Sequence, residues 1–335
     1  MKKIVIYFFF VFLLFTSSCS INQFATRVVA NALTSNGGGS VFTSDDDPEF
    51  IEAALPFALK TYESLLEADP KNTDLFEAVS GGYVSYANAF LQSPAELMEY
   101  DQIDEKDKLL FRAAAMYRRG GRFATSGLEF LYPGFNNNFT NGDWETAFIP
   151  LKKDAVPFLY WKAASILGEF SVDSFNPALM VEVPSAVALA VRALELDGNY
   201  NNGSLQDLFI SIFANIPANL IYRSSDLNNN YSVKKALVEY YSGKDVVLDN
   251  MTSYEQVMFH FNLSIELSKG TKVSPYVSVS SLYIKNQDLD GFTNALNTAL
   301  AVNIDLNPEN RLQNIISQRK AKWLLDHKED YFFIP

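Results

Sequence analysis

Few side chains in this sequence could act as nucleophiles or as general bases. The chain contains one cysteine, Cys19, and two histidines, His260 and His327. A nucleophile needs a base beside it, and neither histidine lies near a G-x-S-x-G turn. A single thiol also excludes an intramolecular disulfide and a zinc site built from several cysteines. We therefore predict structural or solvated histidines, no metal or cofactor, and no catalytic residue.

Acidic side chains offer the remaining route to acid–base chemistry. Asp104, Glu105 and Asp107 lie close together, but lysines alternate with them in the segment IDEKDK. Interleaved charges of both signs are typical of a solvated helix end. Paired carboxylates for glycoside hydrolysis carry no sequence signature, so a hydrolase stays open as an alternative of a different class.

A group of arginines is the strongest local concentration of positive charge. Arg118, Arg119 and Arg122 surround the pair Gly120 and Gly121. In an acidic chain such a group could bind an anionic ligand or an acidic partner. Cations followed by glycine are also a common end of a helix. We favour the second interpretation, in which the arginines stabilise a helix C-terminus.

The N-terminus has the layout of a secretory signal. Residues 1–18 begin with Lys2 and Lys3, continue with an apolar run from Ile4 to Phe15, and end with small residues. An apolar run of about 12 residues spans roughly 18 Å, which is shorter than the hydrocarbon core of a bilayer at about 30 Å. The sequence therefore predicts a cleaved signal peptide and not a permanent transmembrane helix.

The position of Cys19 indicates that its thiol carries a lipid. Ser17 and Ser18 directly precede the cysteine, and small residues at that place resemble the processing site of bacterial lipoproteins. Thr16 departs from that pattern, which usually has Leu there. Several acyl chains give a stable membrane anchor. We predict a lipidated Cys19 and a periplasmic protein anchored to a bacterial membrane; the alternative is an ordinary exported protein.

The charge of the chain disfavours nucleic acid as a partner. Acidic residues outnumber basic ones 39 to 27, so the net charge is -12 and the pI is about 4.7. Removal of residues 1–18 takes away two lysines and leaves a net charge of -14. A negative body repels a phosphate backbone. We therefore predict a tethered acidic body that does not bind nucleic acid.

The mature chain divides into a tether and one folded body. Residues 19–47 are predicted to form the lipidated N-terminus and a flexible linker, because residues 34–47 read TSNGGGSVFTSDDD. Asp47 and Pro48 are typical of a helix start. Residues 48–335 are predicted to form a single all-α domain, since apolar residues recur there at steps of three and four.

The helices are predicted to form pairs of the tetratricopeptide type. In residues 184–214 and again near the end of the chain, one helix is followed by a turn and an alanine-containing second helix. The copies are degenerate and unevenly spaced. The predicted fold is therefore an irregular helical-repeat, tetratricopeptide-like bundle or solenoid.

An insertion of residues 131–165 separates the repeats. Residues 136–142 are rich in asparagine and are predicted to form a loop, while Asp154 and Pro157 should start a new helix. That helix carries Phe158, Tyr160 and Trp161. We favour a core-filling role for these aromatic residues; the alternative is that some of them line a ligand pocket.

Five segments in the same order resemble the T-component lipoproteins of tripartite ATP-independent periplasmic (TRAP) transporters. They are DDDPEFIEAALPFALKTYESLLEADP (45–70), SGGYVSYANAF (80–90), VPFLYWKAAS (156–165), FHFNLSIELSKGTKVSPYVS (259–278) and RLQNIISQRKAKWLL (311–325). The resemblance implies an all-helical, tetratricopeptide-like protein with a hollow interior. It also implies binding to the periplasmic ligand-binding (P) component, a homotrimer, and passage of hydrophobic or organic-acid ligands.

The resemblance places candidate ligand or partner contacts on two aromatic segments. By position these residues are Gly82, Tyr83, Tyr86, Asn88, Phe90, Phe158, Tyr160 and Trp161. The function expected is that of a membrane-anchored binding component and not of an enzyme. The alternatives are a tetratricopeptide scaffold lipoprotein for envelope assembly and, from another class, the lipoprotein hydrolase.

Overall fold

The computed structural model describes residues 38–222, 231–244 and 246–333. Within these ranges the regular elements are helices and no strand occurs, so the all-α prediction is confirmed. The first half contains α1 (Gly38–Thr43), α2 (Pro48–Ala68), α3 (Thr73–Tyr86), α4 (Ser93–Glu96), α5 (Ile103–Leu131), α6 (Phe135–Thr140), α7 (Trp144–Phe148), α8 (Val156–Val172) and α9 (Pro177–Asp197).

The second half is built from shorter helices. It contains α10 (Tyr200–Asn215), α11 (Ala218–Ile221), α12 (Val233–Ser242), α13 (Ser253–Ser268), α14 (Ser274–Ser278), α15 (Ser280–Lys285), α16 (Leu289–Ala301) and α17 (Arg311–Asp326).

Most long helices pack against the next long helix in the chain. Helix α2 contacts α3, α3 contacts α5, α5 contacts α8, and α8 contacts α9. In the second half α10 packs on α13, and α16 packs on α17. Helix α8 also touches both α3 and α10, which joins the two halves. Each helix thereby buries its apolar face. The tetratricopeptide-like repeat itself stays a prediction.

Local capping explains where α2 and α3 begin. The carboxylate of Asp47 accepts a hydrogen bond from the backbone N–H of Phe50 at 2.9 Å, and Pro48 is the first helical residue. The side-chain oxygen of Asn72 likewise accepts from the N–H of Leu75 at 3.1 Å. Such bonds satisfy donors that the first turn of a helix leaves free. The predicted start at Asp47 and Pro48 is confirmed.

The loop predicted for residues 136–142 is wrong, because α6 covers most of it. The carboxylate of Glu129 accepts a hydrogen bond from the backbone N–H of Asn136 at 2.9 Å and so holds the start of the helix. Phe135 and Phe139 are buried one turn apart with ring centroids 5.4 Å from each other. Two buried aromatic rings outweigh the low helix propensity of asparagine.

The predicted helix end at the double glycine is also wrong. Gly120 and Gly121 lie in the middle of α5. A Cβ atom on Gly120 would lie 2.7 Å from Val84 on α3, and one on Gly121 would collide with Ser165 on α8. Helix α5 is packed on two sides, and the glycines permit both close contacts.

The arginines beside these glycines form ion pairs with neighbouring helices. Arg118 lies 2.9 Å from the carboxylate of Glu169 on α8, and Arg119 lies 3.2 Å from that of Glu63 on α2. Both carboxylates are largely shielded from solvent. Two of the arginines therefore neutralise acidic groups inside the fold.

Part of the segment predicted to be a flexible linker is folded. Helix α1 lies within residues 34–47, and its Phe42 packs against the core. Arg311 on α17 donates a hydrogen bond to the carbonyl of Ser44 at 3.1 Å. Contact with the end of the chain thus orders a stretch whose composition alone predicts flexibility. Cys19 and the predicted signal peptide lie outside the described residues.

Helix α17, the last long helix, contacts the first two helices of the described chain, α1 and α2. Arg319 on α17 forms two bonds to the carboxylate of Glu49 on α2, at 2.5 and 3.2 Å. Lys320 lies 2.5 Å from the carboxylate of Glu96 at the end of α4. We call these the closing contacts, because they join helices from the two ends of the described chain.

A buried histidine organises the second half. His260 is completely buried, with Nδ1 2.6 Å from the amide oxygen of Gln206 and Nε2 2.7 Å from the hydroxyl of Tyr241. Its ring stacks on Phe209. Because Gln206 presents an acceptor, Nδ1 donates and Nε2 accepts. Burial, together with Lys244, lowers the pKa of His260 to about 3.

Reversal of the charge on Arg319 should loosen α17 from α2. In Arg319→Glu two carboxylates face each other where an exposed ion pair worth about 0.2–1 kcal/mol had been. We expect faster amide hydrogen exchange in α17, and recovery in the double variant Arg319→Glu, Glu49→Arg.

The matched control for this prediction is Lys322→Glu. Lys322 pairs with Asp326 inside α17 at 2.9 Å and makes no closing contact. Exchange in α17 that rises no further in Arg319→Glu than in Lys322→Glu would show that the closing contacts do not hold the helix.

The burial of His260 should make the protein less stable in mild acid. The pKa of histidine in an unfolded chain is about 6.5, so between that value and about 3 the unfolded state binds more protons. The free energy of unfolding should therefore fall as the pH falls, by at most about 1.4 kcal/mol per pH unit from this group. Denaturant titrations between about pH 7 and pH 5 should give a shallower dependence for His260→Gln.

The pKa of His327 is shifted in the opposite direction to that of His260. The carbonyl of Trp323, followed by the carboxylate of Glu99, raises the pKa of His327 above its ordinary value. His327→Gln should therefore leave the acid-dependent loss of stability as steep as in the original protein, or steeper. Equal dependence in the original chain and in His260→Gln would contradict the assignment.

Candidate functional site

Two of the predicted contact residues lie between helices of the first half. Gly82 on α3 lies against Leu59 on α2, where a Cβ atom would collide with the leucine. The hydroxyl of Tyr83 donates to the carboxylate of Glu63 at 2.5 Å, and its ring stacks on Phe123 of α5. In the structure Gly82 and Tyr83 join α2, α3 and α5.

The next three lie at the end of α3, which continues into a π-helical turn, Ala87–Gln92. Tyr86 and Phe90 are buried with ring centroids 5.8 Å apart. Asn88 is exposed, and its amide nitrogen donates to the hydroxyl of Tyr117 on α5 at 3.2 Å. Single turns of π-helix often occur at functional sites.

This turn is connected to the closing contacts by hydrogen bonds. The hydroxyl of Tyr117 donates to the amide oxygen of Gln92 at 2.5 Å. The amide nitrogen of Gln92 donates to Glu96 at 2.7 Å, and the other oxygen of Glu96 is bound by Lys320. The π-helical turn therefore positions a carboxylate for α17, which is a structural role.

The aromatic residues of α8 divide into two environments. Phe158 is buried against Gly127 of α5, where a Cβ atom would collide with its ring. Tyr160 and Trp161 are half-buried, and their rings meet edge to face with centroids 4.8 Å apart. The indole of Trp161 lies over Gly81 of α3, because a Cβ atom there would be 2.7 Å from the ring.

Tyr160 and Trp161 belong to a group of side chains from three helices. The ring of Tyr200 at the start of α10 lies 5.4 Å from that of Tyr160, centroid to centroid. We call this group the interior cluster, and its members are Glu77 on α3, Tyr160 and Trp161 on α8, and Tyr200 and Asp207 on α10. All five are half-buried.

Glu77 contributes a carboxylate to which no cation is paired in the part of the chain that the structure describes. It lies one helical turn before Gly81, on the side of α3 that faces Trp161. Burial and the nearby Asp74 raise the pKa of Glu77. Within the described ranges no hydrogen bond or ion pair reaches its carboxylate. The charge of Glu77 also raises the pKa of Tyr200, second only to burial.

The two tyrosine hydroxyls of the interior cluster are also without partners in the described part of the chain. No hydrogen bond involves the hydroxyl of Tyr160 or that of Tyr200. Burial, followed by the charge of Asp207, raises the pKa of Tyr160. None of these three groups is among the fully buried side-chain atoms that lack a hydrogen bond in the described part of the chain, so each can bond with water or with a ligand.

Asp207, in contrast, is held by its neighbours. Its carboxylate accepts hydrogen bonds from the hydroxyls of Ser274, at 2.8 Å, and Ser264. Burial raises the pKa of Asp207, although the charge of Lys272 and both hydroxyls act in the opposite direction. The ammonium of Lys272 donates to the carbonyl of Asn201 at 2.7 Å.

A left-handed turn places Tyr200 in the cluster. Asn201, Asn202 and Gly203 have φ angles of 45°, 50° and 93°. Residues other than glycine rarely adopt this conformation, and the bond from Lys272 to the Asn201 carbonyl helps to hold it. At Gly203 the close approach of α13 leaves little room for a Cβ atom.

The residue types in this cluster are those commonly found in small-ligand sites. Aromatic faces supply apolar contact area, and a few unpartnered polar groups can fix the orientation of a ligand. Among the described residues no group of three His, Cys, Asp or Glu side chains could hold a metal ion. The interior cluster therefore offers contacts and hydrogen bonds to a bound molecule.

Sequence reasoning identified Tyr160 and Trp161 but missed Glu77, Tyr200 and Asp207. A signal was present for the two acids. Asp207 is the single charge in the mainly apolar helical segment LQDLFISIFA, and Glu77 interrupts the apolar face of DLFEAVSGGY. Burial of an isolated acid on an apolar helix face costs free energy unless its carboxylate gains a partner.

The predicted lipid site at Cys19 cannot be placed relative to this cluster, since it lies outside the described residues. Across the part of the chain that the structure describes, no helix has both the length and the apolar character needed to span a bilayer.

Substitution of Gly81 by alanine should displace the indole of Trp161. The added methyl group would lie 2.7 Å from the ring, and overpacking of this kind costs about 1–3 kcal/mol, partly offset by about 1 kcal/mol of helix propensity. We expect a net loss of about 1 kcal/mol in the free energy of unfolding and an altered near-ultraviolet circular dichroism spectrum.

Gly243→Ala is the control, because a Cβ atom at Gly243 meets only ordinary van der Waals contacts at 3.6 Å or more. It should leave stability and spectrum nearly unchanged. The same outcome for Gly81→Ala would contradict the close contact with Trp161.

Two comparisons with known proteins agree with the resemblance drawn from the sequence. The family described as TRAP transporter T-component matches residues 44–220 and 226–332. A protein of Treponema pallidum (strain Nichols), described as an uncharacterized protein, is 30% identical over 295 residues, or 87% of this chain and 82% of the relative. The family match includes every helix that contributes to the interior cluster. This all-α chain is therefore a member of the TRAP transporter T-component family.

Proposed function

We propose that this protein is a lipid-anchored T component on the periplasmic side of a bacterial membrane. It binds the P component of its TRAP system and holds a small ligand at the interior cluster during transfer. The observation that carries the proposal is the presence of unpartnered polar groups, those of Glu77, Tyr160 and Tyr200, in a chain of this transport family.

The anchor in this proposal is Cys19. Between Cys19 and the start of α1 at Gly38 the chain has room for a tether that reaches at most about 65 Å when fully extended. The acidic body would remain close to the membrane without a transmembrane helix. Such a position suits a protein that meets a periplasmic partner and the membrane subunits of the same transporter.

An apolar stripe on α2 supports the binding of a protein partner. Phe50 and Phe57, two turns apart on one face of the helix, are 63% and 79% exposed. Exposed Ala53 lies between them on that face. Exposed apolar groups in a contiguous patch commonly mark protein interfaces. We assign this stripe to the P component.

A role in transport and not in catalysis is part of the same proposal. The family is one of transport components, and the neutral His260 is occupied on both ring nitrogens by Gln206 and Tyr241. The hydrolase alternative would require a catalytic pair of carboxylates, and no observation favours one.

The proposal is tested by capture of the P component from membranes with the intact, tagged lipoprotein. We expect the P component to be retained, and Phe57→Ser to reduce its retention about tenfold, since loss of a buried aromatic anchor typically costs more than 1 kcal/mol. Cys19→Ser should release the protein from the membrane fraction. Light scattering of the purified protein tests the homotrimer.

Phe175→Ser is the control, because Phe175 is 93% exposed in the turn between α8 and α9, away from the stripe. Retention should be unaffected by this change. Recovery of envelope-assembly or peptidoglycan factors in place of a P component would overturn the proposal and favour the scaffold alternative.

A further inference from the structure

The interior cluster carries an unbalanced negative charge. Asp207 has Lys272 and two serine hydroxyls around it, and these offset its charge. Glu77 has no such neighbour in the described part of the chain, and the charged group that most affects its pKa besides burial is another acid, Asp74. A half-buried carboxylate without a paired cation favours the approach of a positive charge.

Nearby cations are already engaged elsewhere. Lys272 donates to the carbonyl of Asn201 and to the hydroxyl of Ser204 at 2.7 and 3.0 Å. Lys162, on the same helix as Tyr160, donates to the hydroxyl of Thr125 on α5 at 2.7 Å. Burial lowers the pKa of Lys162 to about 8. Neither ammonium pairs with Glu77 in the described part of the chain.

Aromatic rings lie close to Glu77, since Trp161 packs over Gly81, one helical turn further along α3. The rings of Tyr160, Trp161 and Tyr200 are in mutual contact, with centroids 4.8 and 5.4 Å apart in the successive pairs. The face of an aromatic ring attracts a cation, and the attraction grows when water is excluded. The unpartnered hydroxyls of Tyr160 and Tyr200 can accept hydrogen bonds from an ammonium group.

We infer that the interior cluster binds the ammonium group of a small aliphatic amine, with Glu77 as counterion and Tyr160, Trp161 and Tyr200 as the surrounding aromatic wall. The inference rests on the proposed function, in which the cluster holds the ligand, and it differs from the organic acids that the sequence resemblance implied. A ligand carboxylate would meet Glu77 and Asp207 and would be repelled.

The test compares three probes of equal chain length, n-hexylammonium, hexan-1-ol and hexanoate, by calorimetric titration of the purified protein. They differ in charge and share the same alkyl chain. We expect n-hexylammonium to bind at least about tenfold more tightly than either of the others, the combined size of a cation–π contact and a charge pair in a partly desolvated site.

Glu77→Gln should reduce this preference to about threefold or less, because it removes the charge and keeps the size of the side chain. Glu239→Gln, a change at an exposed glutamate of α12, should keep the preference. Tyr200→Phe gives a second route should Glu77→Gln fail to fold; loss of its hydroxyl should weaken n-hexylammonium binding several-fold. Thermal unfolding checks that each variant is folded.

Three results would overturn the inference: tighter or equal binding of hexanoate or hexan-1-ol, a preference that survives in Glu77→Gln, and no binding of any probe. The outcome is separable from that of the capture experiment. If the P component is retained but n-hexylammonium is not preferred, the amine inference fails and the T-component proposal stands. If n-hexylammonium is preferred but no P component is retained, the protein binds amines and has another partner.

Discussion

A helix at the end of a helical array is packed on one side only, and its exposed apolar surface costs free energy. Contact between α17 and the first helices, α1 and α2, reduces this cost at both ends of the described chain. The apolar part of α17 includes Ala321 and Leu324, which are buried. The ion pair between Arg319 and Glu49 is exposed and adds little energy, but it selects where α17 lies. The bonds from Lys320 to Glu96 and onward to the π-helical turn then tie the closing contacts to α3 and α5.

This closure matters because the interior cluster is shared among α3, α8 and α10. Helix α8 touches both of the others, and the fit of Trp161 over Gly81 sets how closely α3 can approach. The left-handed turn at residues 201–203 then brings the ring of Tyr200 to that of Tyr160. Small changes in helix position would separate these side chains, so the cluster depends on a frame fixed from both ends.

Two groups of polar residues in this fold differ in whether they are hydrogen-bonded to their neighbours. His260 has a partner on each ring nitrogen and aromatic rings on its faces, so its burial is compensated. Glu77 and the hydroxyls of Tyr160 and Tyr200 differ from it, since they belong to half-buried residues and none is bonded among the described residues. Compensated polar groups specify how helices pack, and the unbonded ones are those that the proposed function assigns to a ligand.

Much of the architecture could be predicted from the sequence, because its causes are local. The periodic apolar residues indicated an all-α fold, and Asp47 with Pro48 marked the start of α2. The predictions that were wrong depended on contacts between distant residues: α6 forms because Phe135 and Phe139 are buried, and α5 continues through Gly120 because α3 lies against it. For the site, Tyr160 and Trp161 could be recognised by residue type.

By itself the sequence determined the helical class, the family and the predicted lipid site at Cys19, since each depends on residues that are close together along the chain. Only the tertiary structure decided that Glu77, Tyr200 and Asp207 join the two aromatic residues, because helices far apart in sequence must pack before their side chains can meet.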